Sequence, residues 1–475
     1  MTFLTPEFYI FFAIIMILLR VFNKGQGRNV VMLFAGYFFY AYFDIRFMLL
    51  MVAETLIVYG IAILIDHRRA VNPKTSARLL ALGVCVTLAK LLYFKYAGFF
   101  LESARLLLRF EMKEPLRILL PIGISFYTFR SISYMADVYR GQVKASSSFL
   151  HVSLYISFFP QLIAGPIIRF RDFCANLDKT LSNAWSGSAD ITEGLQIFLF
   201  GLMKKRIIAD QLALFVDQVF RSPSAFGSPT VILAVFSYSV QIYCDFSGYS
   251  DMAVGIAKCM GFDLIRNFNM PYLSYNPNEF WKRWHITLSS WLQDYLYIPL
   301  GGNRKGRVRT DVNLLLTMLI GGLWHGASWN FIIWGGLHGL ALAAHKLFLK
   351  LRGKQRGSSP ASPAAKVISA SLNFIFVSFA WIFFRSSDYQ TTMMILRKIF
   401  FLEPAGLSQM FIYSFIFGFA MLGIHVFIAK KKLREGYYVL LNMKKFSSKL
   451  ILAFAVLILI CFSYSGFKPF IYSQF

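Results

Sequence analysis

The sequence predicts an all-α, polytopic integral membrane bundle, and three observations carry that prediction. Of 475 residues, 57% are apolar and only 15% charged, with a mean hydropathy of +0.56. Val367–Phe384, Pro404–Ala429 and Leu450–Phe467 contain no Asp, Glu, Lys or Arg. Each reaches the roughly 18 residues of a spanning-helix candidate. Aromatic residues supply 17% of the chain, which suits lipid-facing and interfacial surface. The net charge of +26 does not point to nucleic acid. A nucleic-acid binder with such an excess is charge-rich and solvated on one face, whereas these basic residues punctuate long uncharged stretches.

Taken in order, the first apolar run (residues 5–19) has no basic segment before it and no small-residue cleavage site after it, so it is not read as a removable signal. Arg20, Lys24 and Arg28 follow it, which places that end in the cytoplasm and Met1 outside. Further runs lie near residues 30–45, 47–65, 79–100, 117–135, 150–168, 190–202, 206–220 and 229–260. Several are interrupted by charge or Pro, so some are expected to be short, tilted or re-entrant. Val312–His345 is uncharged and long enough for two helices, with Gly326–Asn330 as the corner. In all, about eleven to thirteen membrane segments are expected. Arg68–Arg69, Arg304–Arg309, Arg352–Arg356 and Lys430–Arg434 are placed inside, and Lys444, Lys445 and Lys449 precede a last span that ends outside. Gly353–Pro363 reads as a loop, and residues 1–475 as one membrane domain with an extracytoplasmic tail at 468–475.

Polar groups at membrane depth are expensive and face a cavity or one another. Four places concentrate them. In Phe280–Gly302, helical spacing gives an apolar face (Trp284, Leu288, Trp291, Leu292, Tyr295) and a polar stripe (Arg283, Thr287, Ser290, Asp294) with His285 beside it. That pattern fits either a helix lying in the headgroup plane or one whose stripe faces a reaction chamber. In Leu323–Asn330, His325 sits in an uncharged neighbourhood, either bonded to a backbone carbonyl or acting as a base that takes a proton from a hydroxyl. His338 is a weaker candidate of the same kind. Asp245 and Asp251 lie in an apolar region and suggest a proton path or salt-bridged structural carboxylates. Pro121–Arg130 and Phe159–Pro166 break helices at depth.

No phosphate-binding loop, zinc-protease or nucleophile-elbow pattern is present in the sequence. The five cysteines form no C-x-x-C pair, the histidines no H-x-x-x-H pair, and neither a metal site nor haem is expected.

Phe280–Asn303 (FWKRWHITLSSWLQDYLYIPLGGN), followed by Gly322–Asn330 (GLWHGASWN), closely resembles the membrane-bound O-acyltransferase family. The likeness is strongest to its bacterial alginate, peptidoglycan and cellulose O-acetylation branch. Pro121–Gly141, Phe158–Arg169 and Tyr243–Met252 match as well, although Arg130 stands where Gln is expected. The resemblance implies helices around a funnel through a bacterial cytoplasmic membrane, with the family's histidine at His325 and a second important position at His285. It implies acetyl-CoA as donor with no tightly bound cofactor, a polysaccharide acceptor on the outer side, and an extracytoplasmic SGNH-type partner. The tail Pro469–Phe475 (PFIYSQF) is similar to the F-x-Y-x-x-F end of the peptide that serves the related teichoic-acid D-alanylation enzyme. That likeness implies Tyr472 as an acyl carrier; otherwise the tail is an aromatic anchor. On this reading Asp294, Ser290, Arg283, His285 and Asn330 are candidates to orient the base or stabilise an oxyanion. Arg304, Lys305, Arg307 and Arg309 would attract the phosphates of CoA. The alternatives are D-alanyl transfer to teichoic acid and, in another class, a proton-coupled transporter or flippase using Asp245 and Asp251.

Overall fold

The computed structural model describes residues 1–109, 118–182, 187–353, 362–403 and 441–462, with isolated positions between 413 and 423. These residues form helices and turns, and no strand occurs among them. The helices are α1 (Pro6–Val21), α2 (Gly25–Ala41), α3 (Ile45–Val71), α4 (Pro73–Leu91), α5 (Ala97–Leu108) and α6 (Ile124–Arg140). Then come α7 (Phe149–Ser157), α8 (Phe170–Ser182), α9 (Ser188–Met203), α10 (Asp210–Arg221), α11 (Ser228–Cys259), α12 (Pro277–Arg283) and α13 (Ile286–Leu292). The last are α14 (Arg307–His325), α15 (Trp329–Leu351), α16 (Pro363–Arg385), α17 (Tyr389–Phe401) and α18 (Phe446–Phe462).

Helix starts follow side-chain chemistry. Asn72 accepts from the Thr75 amide at 3.0 Å ahead of Pro73, and Asp388 accepts from the Thr391 amide at 2.8 Å. Each satisfies a donor that the first helical turn leaves without an internal partner. Among the described residues, five helical stretches are long and apolar enough to cross a membrane: 45–71, 73–108, 228–259, 329–351 and 363–385. The uncharged Val312–His345 stretch resolves into α14 and α15, broken at Gly326–Ser328, and Val367–Phe384 lies within α16. Almost all of Pro404–Ala429, and the tail 468–475 with Tyr472, lie outside the described residues.

The chain divides into two compact units, Met1–Phe198 with Met252–Ile265, and Leu199–Asp251 with Arg266–Phe475. In the first, buried charge is handled by pairing. Lys90 of α4 pairs with Glu54 of α3, Ser131 of α6 donates to the same carboxylate at 2.8 Å, and the Lys90 ammonium lies 4.0 Å from the Tyr127 ring centroid. The two Pro/Gly-broken segments meet here. Gly123, at φ 74°, lies so close to the Leu162 carbonyl that a Cβ would overlap it. The buried Arg130 donates to the Tyr155 carbonyl at 2.8 Å and to Gln161 at 3.4 Å.

In the second unit, a π-helical turn at Lys204–Ala209 turns two lysines inward. Lys205 pairs with Asp210 at 2.8 Å and Asp245 at 2.5 Å, all three side chains at most 2% exposed. Lys204 pairs with Asp251 and donates to Ser247 at 2.9 Å. Asp245 and Asp251 are therefore salt-bridged carboxylates.

Candidate active site

The segment expected to be one amphipathic helix is broken at Trp284–His285, between α12 and α13. Trp284 is extended and His285 adopts a left-handed backbone, φ 42° and ψ 55°. Such a conformation is uncommon for a residue bearing a Cβ, and persists when surrounding contacts over-determine it. Those contacts come from the irregular stretch at Asn267–Asn269. The Asn269 amide donates to the Arg283 carbonyl at 2.8 Å and the Ile286 amide to the Asn267 carbonyl at 2.8 Å. The Thr287 hydroxyl donates to the Asn267 side chain at 2.6 Å. Clamped on both sides, His285 is wholly buried, with Phe246 edge-on at 4.7 Å between ring centroids and Trp324 at 6.2 Å.

His325 is the last residue of α14, 3% exposed. Its position depends on close approach of α14 to α15. A Cβ at Gly335 would overlap the Met318 carbonyl oxygen, and one at Gly322 would overlap that of Phe331. Small residues at such crossings let backbones approach where the lipid gives no hydrophobic drive to associate. The corner is then held by Asn330, whose amide donates to the Thr392 hydroxyl of α17 at 3.1 Å and to the Ser386 carbonyl at 3.4 Å.

Aromatic rings join the histidines. Trp324 packs on both His285 and His325, the latter at 4.8 Å. Trp334 packs on His325 at 5.0 Å and on His338 at 4.9 Å. Phe384 closes on His325 at 5.3 Å, while Trp381 stacks on Trp334 at 5.5 Å and meets Trp284 at 5.0 Å. Three buried imidazoles thus share one aromatic cluster, in which an uncharged ring can exchange a proton with a bound hydroxyl while bulk water is kept away.

A cavity of about 310 Å³ lies in the same unit. Its lining includes Asn303 and Tyr297, and Asn303 immediately precedes the exposed turn bearing Arg304, Lys305, Arg307 and Arg309. The lining also includes Ser289 and Trp281, and Trp281 packs on His338 at 5.1 Å. Asn313 holds the turn in place by donating to the Gly302 carbonyl at 3.1 Å.

The other candidates fall in different surroundings. Arg283 is bound to Glu279 at 2.7 Å, Ser290 is exposed and donates to the Thr287 carbonyl at 3.0 Å, and Asp294 is half-buried in a π-helical turn at Gln293–Tyr297. Among the described residues no cluster of His, Cys, Asp and Glu has the makings of a metal site. The tryptophans that link the histidines, the Asn267 clamp and the cavity were not singled out in the sequence. Adjacent lysines inside an apolar run (Gly201–Asp210, GLMKKRIIAD) are a signal that would have found the partners of Asp245 and Asp251.

Residues 34–387 match the sequence model of MBOAT, the membrane-bound O-acyltransferase family. The chain is 42% identical, over 82% of its length and 73% of the relative's, to a protein of Pseudomonas syringae pv. tomato named probable alginate O-acetylase AlgI. It is 37% identical to the peptidoglycan O-acetyltransferase of Helicobacter pylori, over 79% of this chain and 74% of that one. A teichoic acid D-alanyltransferase of Bacillus subtilis is 27% identical over 56% of this chain and 69% of its own.

Proposed function

The chain belongs to the membrane-bound O-acyltransferase family, and on that premise we propose that it passes an acetyl group from cytoplasmic acetyl-CoA across a bacterial cytoplasmic membrane for O-acetylation of a cell-envelope or exported polysaccharide. It is a multi-pass membrane O-acyltransferase of the O-acetylating branch. The observation that carries the proposal is the burial of His325 and His285 against the one indole of Trp324, at the corner of α14 and α15.

In this mechanism acetyl-CoA enters from the turn bearing Arg304, Lys305, Arg307 and Arg309, which attracts its phosphates, and the neighbouring cavity takes the thioester arm. The phenol oxygen of Tyr472 attacks the acetyl carbonyl while His325 takes the phenol proton. The tetrahedral intermediate collapses with cleavage of the C–S bond, and the imidazolium returns the proton to the departing thiolate. His285 donates a hydrogen bond to the oxyanion, and Asn330 fixes the corner that aims His325. The product, an acetyl ester of a phenol, is activated enough to be taken by the serine of an extracytoplasmic SGNH-type partner, which hands it to the polymer. Both termini face outward, so the single membrane domain delivers Tyr472 to that side.

The pairing of Asp245 with Lys205 and of Asp251 with Lys204 speaks against a proton-coupled transporter that would need those carboxylates free to titrate. Purified protein given labelled acetyl-CoA, and separately a D-alanyl carrier thioester, tests the donor. Labelling from acetyl-CoA supports the proposal, and labelling from the carrier alone replaces it with D-alanyl transfer.

A further inference from the structure

His338 is 0% exposed, and among the described residues neither of its ring nitrogens has a hydrogen-bond partner. Its neighbours are rings: Phe280 stacked at 5.9 Å, Trp281 edge-on at 5.1 Å, Trp334 at 4.9 Å and Phe376 at 5.5 Å. The indole N–H of Trp281 is likewise buried without a partner. A buried polar group left unsatisfied is destabilising, and an all-apolar ring such as Phe would fit these surroundings better. Two adjacent groups of this kind, one a donor and the other able to donate or accept, mark a place where a polar ligand completes the site.

The cavity supplies the location. Trp281 lines it. Trp334, His338 and Leu342 follow one another at four-residue intervals on α15 and so share a helix face. Leu342 also lines the cavity, while Trp334 packs on His325. His338 therefore stands one turn from the cavity wall on one side and one ring from His325 on the other. The cavity's own lining places Asn278, Gln293, Asn303 and Thr317, side chains able to bond an amide, among apolar walls that include Leu292, Leu314, Met318 and Leu342.

We infer that His338 and Trp281 are substrate-binding residues that hold an amide of the donor's pantetheine arm where Trp281 joins this cavity to the His338 ring, the indole N–H donating to the amide carbonyl and an imidazole nitrogen accepting from the amide N–H. The inference rests on the thioester-donor reading above. The pantetheine arm is common to coenzyme A and to a carrier protein, and wild-type turnover of acetyl-CoA against an acetylated carrier distinguishes those two sources.

The test compares full-length protein acting on S-acetylpantetheine and on an S-acetyl thioester of matched length in which methylenes replace both amides, reading thiol release and protein acetylation. Wild type is expected to prefer the pantetheine ester by at least about tenfold in kcat/KM, as sites built to bond a polar group reject analogues that lack it. His338→Phe is expected to lose most of that preference through a higher KM for the pantetheine ester, with its melting temperature equal or higher. A purely structural histidine predicts the same gain in stability with the preference intact. That result, or a wild type that does not distinguish the two esters, overturns the inference. Should His338→Phe fail to fold, Trp281→Phe removes the indole N–H while keeping a smaller aromatic ring in its place, and it must reduce the preference for the inference to stand. Failure of wild type to turn over any thioester contradicts the donor reading itself, and so is separable from failure of the binding pair.

Discussion

His325 and His338 pack against the same indole: the Trp334 ring lies 5.0 Å from one imidazole and 4.9 Å from the other. Trp334 is itself fully buried and stacked on Trp381. One side chain thereby sets the spacing between the proposed base and the proposed donor-binding residue. Trp334→Ala is expected to destabilise the protein by about 3–5 kcal/mol, the usual range for an aromatic-to-alanine change in a core. Trp334→Phe keeps much of the packing, and the account predicts a folded protein with a lowered kcat. Thermal melting in detergent and initial rates at saturating donor check the two outcomes.

The basic turn gives a prediction about affinity alone. Reversal of Arg304, Lys305, Arg307 and Arg309 to Glu should raise the KM for acetyl-CoA and leave kcat on a saturating short thioester unchanged, because all four side chains are exposed and remote in sequence from the histidines. The wild-type KM should also rise with salt, and the variant's should not follow it upward. Unchanged acetyl-CoA affinity in the variant contradicts a role for the turn.

Lys205 tests how buried charge is tolerated. It is the shared partner of Asp210 and Asp245. Lys205→Met leaves two carboxylates buried side by side, and loss of one member of such a pair costs about 3–5 kcal/mol. Adding Asp210→Asn and Asp245→Asn removes that repulsion and should recover much of the melting temperature. A single variant as stable as wild type shows that the ion pairs do not hold this part of the fold.

The parts legible in the sequence were those set by composition and by local contrast. An uncharged stretch with a Gly–Ala–Ser–Trp corner is enough to place His325 at a helix end, and the structure puts it there. The break at Trp284–His285 was not legible, because no Gly or Pro marks it and the surrounding residues suit a helix. Its cause is tertiary: Asn267 and Asn269 capture the backbone on either side. The pairing of Asp245 and Asp251 was equally hidden, since Lys205 and Lys204 lie about forty residues earlier in the chain. Arg283 is the opposite case. Glu279 stands four residues before it, a spacing that brings opposite charges together on any helix, and they do pair.

The account turns on His325 moving the acetyl group from a thioester to Tyr472, and one measurement addresses that directly. Full-length protein is incubated with isotopically labelled acetyl-CoA, quenched, digested and mapped by mass spectrometry, alongside His325→Ala and Tyr472→Phe proteins confirmed to be folded and present in equal amount. The account predicts label on Tyr472 in the wild type. It predicts at least about a hundredfold slower labelling without the imidazole, within the range that general-base catalysis contributes, and none on the phenylalanine variant. Label appearing on Tyr472 at the wild-type rate in His325→Ala, or full polymer acetylation by Tyr472→Phe, would contradict it.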